Sequence, residues 1–224
     1  MKFDKILLIG SNLKSCDVGS IFVRACENLK IKVIVCNINH ESYATSMKSI
    51  FGKAFYKLNS GRPLEWNNFN KIIFDKIKTF NPSLVLVTGI FPLKNYLFQY
   101  LKLRKIPVVN FLKDNPFTQR LRSKIFLKNI KFYDVIFSTK SLIADDLIKL
   151  GAKKVQFIYY AYDPFWHRLP DDVPKKMRDN FESDISFIGT GAHERLNFLN
   201  PLSDLSNVNL HLYGNDWERF NLKN

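Results

Sequence analysis

Short apolar runs alternate with longer amphipathic stretches along most of the chain. Residues 5–9 and 32–36 read as buried strands, with a polar loop and a helix near 17–29 between them. Helices are predicted near 41–50 and 64–80. The second stops at Asn81-Pro82, because a proline drives the preceding residue out of helical geometry. Residues 84–87 form a third strand, 92–104 a helix and 107–111 a fourth strand. A basic helix over 118–131 leads to the strand 135–138, then to a helix near 140–150 and the strand 155–159. Gly151 closes the helix before that last strand with the left-handed residue such ends favour.

Strands apolar on both faces and separated by helices are the pattern of a parallel sheet covered on both sides. The predicted fold class is therefore α/β, a Rossmann-like doubly wound parallel sheet occupying residues 1–162. Composition changes at 163–183, a polar stretch with Pro164, Pro170 and Pro174 that reads as a linker. The rhythm then restarts over 184–224 with a strand at 184–188, a Gly189-Thr190-Gly191 turn, a helix at 193–202 and a strand at 209–213. Two strands make a marginal unit by themselves. The expectation is an incomplete second Rossmann-like unit, docked on the first, continued in a longer protein, or completed by a partner chain.

No apolar run approaches the roughly 18 residues of a membrane-spanning helix. The start, Met1-Lys2-Phe3-Asp4-Lys5, has no small-residue cleavage site, so a cytoplasmic protein is expected. Cys16, Cys26 and Cys36 form no CxxC pair and read as reduced thiols, the latter two in packed elements. The four histidines are scattered, so neither a metal site nor a cofactor is predicted.

A net charge of +14 and a pI near 9.7 point to an anionic partner, or to a general lysine-rich drift. The excess is uneven: between Lys94 and Lys131 ten cations accompany a single acid, Asp114. On a helix over 118–131, Arg120, Lys124, Lys128 and Lys131 would share one face. That face is either simply solvated or turned toward an anion, and the basic segment 94–131 as a whole fits peripheral contact with an anionic membrane at its inner face or a phosphate-bearing acceptor.

Candidate chemistry lies where strands end. Gly10-Ser11-Asn12 follows the first strand, and ligands of open α/β sheets bind outside the carboxyl ends of strands. The dinucleotide fingerprint G-x-G-x-x-G is absent, which disfavours a tight NAD pyrophosphate clamp. Gly89 follows the third strand, as a turn glycine or a site residue. Asp114-Asn115-Pro116 follows the fourth, either as a capped turn or as a carboxylate able to take a hydroxyl proton or bind sugar hydroxyls. Gly189-Thr190-Gly191 opens a helix whose free N–H groups and dipole favour phosphate, and Arg195 lies about one turn further on. The aromatic run from Tyr159 to His167 reads as core packing, or as a hinge or cleft lining between domains.

Several of these stretches together resemble a known family. Residues 134–159 followed by Ala161-Tyr162-Asp163-Pro164 resemble the end of the N-terminal domain of GT-B glycosyltransferases. Asp184-Ile185-Ser186-Phe187-Ile188-Gly189-Thr190, Glu194-Arg195 and Leu212-Tyr213-Gly214-Asn215-Asp216-Trp217 are similar to the C-terminal domain of its CgeB-like, spore-maturation-type branch. The resemblance implies metal-independent transfer of a sugar from a nucleotide-sugar donor to a glycan, cell-surface or lipid-linked acceptor. It further implies that Gly189, Thr190, Gly191 and Arg195 approach the donor diphosphate. Gly10, Ser11, Asn12, Gly89, Asp114 and Asn115 would line the acceptor side, with Asp114 as the catalytic candidate. The family's later donor-ribose segment has no counterpart here.

Two other readings stand beside it. One is a non-catalytic Rossmann-like binding module that needs a partner chain. The other, nucleic-acid binding, rests on charge alone, and no helix-turn-helix, OB or RRM pattern supports it.

Overall fold

The computed structural model describes residues 3–11, 17–37, 49–58, 65–119, 121–165, 167–168, 175 and 181–220. The chain divides into two compact units, Met1–His167 and Arg168–Asn224.

In the first unit, β1 (Lys5–Gly10) has Leu7, Leu8 and Ile9 almost fully buried, so both of its faces lie in a core. α1 (Val18–Asn28) leads to β2 (Lys32–Asn37). After α2 (Ile50–Leu58) and α3 (Glu65–Phe80) come β3 (Leu84–Val87), α4 (Asn95–Leu103) and β4 (Val108–Leu112). α5 (Lys124–Asn129), β5 (Val135–Ser138), α6 (Ala144–Lys149) and β6 (Val155–Phe157) complete it. All six strands pair in parallel in the order β2-β1-β3-β4-β5-β6, which makes the fold Rossmann-like α/β.

The order explains the layers. From β1 the chain steps one way to β2, then crosses back to β3 and continues in that direction. Right-handed crossovers therefore put α1 on one face and the later helices on the other. Cys26 and Phe22 of α1 pack on Ile6, Leu8 and Leu86. The larger core sets Trp66, Phe69, Ile73 and Ile77 of α3, with Leu97 and Leu101 of α4, on the opposite face of the strands. Burial raises both described thiols, Cys36 to about 11, so they are neutral packing groups at ordinary pH. Cys16 and His40 lie outside the described residues, as does most of the helix predicted near 41–50.

Two local readings change. The basic helix predicted over 118–131 is only six residues of α helix, Lys124–Asn129, continued by a 3-10 turn at Ile130–Phe132. Asn115 Oδ1 accepts from Phe117 N at 2.9 Å and fixes a turn there, while the Ser123 hydroxyl accepts from Phe126 N and sets a later helix start. Arg120 lies outside the described residues, so the predicted basic face reduces to Lys124, Lys128 and Lys131. Conversely, α2 begins at an unanticipated cap: Ser49 Oγ accepts from Gly52 N at 2.9 Å.

In the second unit, β7 (Ile185–Ile188) and β8 (Leu210–Tyr213) pair in parallel around α7 (His193–Ser203), the βαβ arrangement expected from sequence. Much of the 163–183 linker lies outside the described residues.

Candidate functional sites at the carboxyl edges

The switch point of the first sheet lies between β1 and β3, where neighbouring crossovers leave in opposite directions and open a crevice. Gly10 ends β1 there, and a Cβ on it would sit 2.0 Å from Thr88 Oγ1, so the two loops meet without a side chain between them. Thr88 N donates to Ile9 O at 2.9 Å and closes the β1–β3 junction. Gly89 follows with φ +142°, a conformation L side chains rarely adopt, and its carbonyl accepts from Asn110 Nδ2 at 2.9 Å. Ser11 Oγ donates to Asp17 Oδ2 at 2.7 Å, tying the loop to the start of α1. Asn12 lies outside the described residues.

Asp114 stands two residues past β4, two strand spacings or roughly 10 Å from β1. It is half-buried, and among the described residues its carboxylate makes no hydrogen bond or ion pair. Asn115, by contrast, is engaged in its turn. The Lys113 carbonyl accepts from Thr139 Oγ1 at 3.2 Å and from the Tyr160 hydroxyl at 3.1 Å, which joins the ends of β4, β5 and β6 at this edge. Below it, Asn110 and Tyr133 are buried, and neither Asn110 Oδ1 nor the Tyr133 hydroxyl makes a well-formed hydrogen bond among the described residues. Burial pushes the Tyr133 phenol well up, with nearby Asn110 opposing.

The residues after β6 hold a feature absent from the sequence reading. Arg24 of α1 donates through Nε and Nη2 to Asp163 Oδ2, the Nε contact at 2.8 Å. Asp163 Oδ1 accepts from Phe165 N at 2.9 Å, and the Asp163 amide donates to His167 Nδ1 at 2.8 Å. Nothing in local spacing links Arg24 to Asp163, which is 139 residues away. Tyr159, Tyr160, Tyr162 and Phe165 are exposed, so these aromatics are not core. Trp166 lies outside the described residues.

The carboxyl edge of the second sheet is built from glycines. A Cβ on Gly214 (φ +135°) would lie 2.1 Å from Gly189 O, and one on Gly191 would lie 2.6 Å from Asp216 O. Gly189 N donates to Tyr213 O at 2.8 Å and Gly191 N to Asn215 O at 2.7 Å, so these two amides hold the loop to β8. Trp217 Nε1 donates to Gly189 O at 2.8 Å. Arg195 lies over the Phe187 ring, 5.4 Å from its centroid, and donates through Nη1 to Thr190 O. α7 starts after Ala192 without a side-chain cap, leaving the orphan amides of its first turn beside Arg195.

Among the described residues no group of three or more His, Cys, Asp or Glu is placed to hold a metal ion. No helix among them is long and apolar enough to cross a membrane.

These features define a doubly wound α/β protein with a second βαβ unit, and comparison with solved structures places the fold as GT-B-like. The structure of S. aureus MnaA with UDP aligns with a TM-score of 0.53 at 14% identity, over 96% of this chain and 62% of that one. The chain thus spans less than two thirds of that structure, and the likeness is one of fold. The shikimate dehydrogenase of Thermotoga maritima aligns at 12% identity with a TM-score of 0.18, over 68% of this chain and 87% of that one, too low to carry an argument. No family model and no curated protein matches the sequence.

Proposed function

We propose that this chain binds a nucleotide sugar and belongs to the GT-B glycosyltransferases, in the CgeB-like branch that its motifs resemble. The observation that carries the reading is the carboxyl edge of β7, where a close-packed glycine loop, Arg195 and an uncapped helix start converge. The fold likeness to a protein solved with UDP supports it. With Gly189 and Gly191 amides engaged, the diphosphate would meet the first-turn amides of α7, Thr190 and the remaining Arg195 N–H groups.

On the first unit, the crevice at Gly10, Ser11 and Gly89 is the acceptor side, with Asn115 at the same sheet edge; Asn12, also assigned there from sequence, lies outside the described residues. Asp114, half-buried and without a protein partner among the described residues, is the candidate base. On this unit, Asp114 would take the proton of a bound acceptor hydroxyl. On the second unit, the helix start and Arg195 would offset the negative charge of a bound diphosphate. No metal is required in this scheme.

The engaged glycine amides favour a second reading, a non-catalytic sugar- or acceptor-binding module that lacks donor capture and needs a partner chain. Titration calorimetry with UDP and a panel of nucleotide sugars tests the proposal. Saturable heat is expected with at least one of them, and Arg195→Ala should weaken it about tenfold or more through loss of a charge-assisted contact. Absence of heat with every nucleotide sugar at millimolar concentration would refute nucleotide-sugar binding. That absence would favour the second reading.

A further inference from the structure

The charge of the first unit gathers on the edge opposite the candidate acceptor crevice. Each crossover helix runs antiparallel to the strands, so its C-terminus returns to the amino edge of the sheet. The loop into β2 carries Lys30, the loop into β4 Arg104 and Lys105, and the loop into β6 Lys153 and Lys154, all exposed. Lys5 and Lys32 at the starts of β1 and β2 flank the Phe80 ring, 5.6 and 5.9 Å from its centroid. Cations near helix C-termini offset the helix dipole, which accounts for part of this pattern.

It does not account for the leucines beside them. Leu29 is 70% exposed, Leu103 81% and Leu150 42%, and each ends a helix next to a lysine or arginine. They enter β2, β4 and β6, spread over roughly 24 Å of sheet edge at about 4.8 Å per strand. Between the last two lies a cavity of about 740 Å³, lined by Lys102, Lys105, Lys131 and Lys153 over Phe98, Ile106 and Phe132. Its one acid, Asp134, is already engaged, accepting from Lys153 Nζ at 2.7 Å and from Val108 N at 2.9 Å.

We infer that this amino edge docks on an anionic phospholipid bilayer, the lysines meeting headgroup phosphates and the leucines entering the interface. Lysine heads with exposed leucines between them fit a lipid surface, whereas a nucleic-acid groove would call for arginines and stacking aromatics. The cavity offers a seat for one headgroup, its charged rim on the phosphate and its apolar floor on the glycerol end. Membrane contact, expected from sequence for residues 94–131, thereby extends to the whole sheet edge. It stands independently of what the two carboxyl edges bind.

Vesicle sedimentation of the full chain at about 0.1 M salt tests it, comparing neutral phosphatidylcholine with vesicles containing phosphatidylglycerol. Binding is expected only to the anionic vesicles. The K102E/R104E/K105E variant should lose on the order of a hundredfold in partitioning. Reversing three exposed lysines elsewhere, K53E/K57E/K71E, should change it by less than about fivefold, since no local edge is lost. L29S/L103S should retain electrostatic binding at low salt and release at lower salt than the native chain. Unchanged circular dichroism establishes that each variant is folded. Equal binding to neutral vesicles, or equal loss in both charge-reversal variants, would overturn the inference. So would tighter binding of the same edge to nucleic acid than to anionic vesicles.

Discussion

Arg24→Ala is expected to destabilise the first unit by about 3–5 kcal/mol, the usual cost of removing one member of a buried ion pair. The Asp163 side chain is 7% exposed and that of Arg24 23%. Without Arg24, the Asp163 carboxylate keeps the Phe165 amide as a donor but loses the two guanidinium contacts. Arg24 also lies over the Phe165 ring, 5.3 Å from its centroid, so the same change loosens the chain leaving β6. Asp163→Ala should cost less, about 1–3 kcal/mol, because the more exposed guanidinium can turn toward water. Urea unfolding followed by circular dichroism ranks the two. A loss below 1 kcal/mol for Arg24→Ala, or a larger loss for Asp163→Ala, would show that the pair does not anchor this segment.

Gly214→Ala is expected to disrupt the second unit selectively. The new Cβ would meet the Gly189 carbonyl at 2.1 Å, backbone against backbone, at φ +135°. Strain of that backbone conformation alone costs on the order of 1–3 kcal/mol, and the clash adds to it. The unit has little with which to offset this, since Leu199 and Leu210 are its buried hydrophobics among the described residues. Gly189→Ala is the informative contrast. Its Cβ would meet Arg195 Nη1 at 2.6 Å and the Phe187 ring at 3.0 Å, and the end of a long side chain can swing away. Hydrogen exchange should therefore show β7 and β8 losing protection in Gly214→Ala, with β1 and β3 unaffected and Gly189→Ala close to native. Full protection of β7 and β8 in Gly214→Ala would contradict the close approach of the two loops.

The fold was legible because its signal is local. Leu7-Leu8-Ile9 and Leu84–Val87 are short runs buried on both faces, and the amphipathic stretch that became α3 ends at Asn81-Pro82 as proline geometry requires. Helix starts depend on capping contacts that periodicity does not carry. The serines at 49 and 123 set the starts of α2 and α5, and charge periodicity alone extended the second helix too far. Strand order was not written in any segment, because it depends on which way each crossover turns.

At the candidate sites, glycines at strand ends could be named from sequence, but their reasons are long-range. Gly10 is small because Thr88 stands against it, and Gly214 because Gly189 does. The Arg24–Asp163 pair left no trace in local spacing for the same reason. The engagement of the Gly189 and Gly191 amides by β8 also required the folded structure. It shifts the proposed phosphate contacts from the loop itself to the helix start behind it.

That shift makes an amide-resolved titration the most direct test of the proposed function. Isotope-labelled protein titrated with UDP should show saturable shifts at the amides of Thr190, His193 and Glu194 and at the Arg195 side chain. Those of β1 and of the amino-edge loops should stay in place. Saturable shifts confined to other regions, or none at millimolar UDP, would contradict a diphosphate site at the carboxyl edge of the second unit.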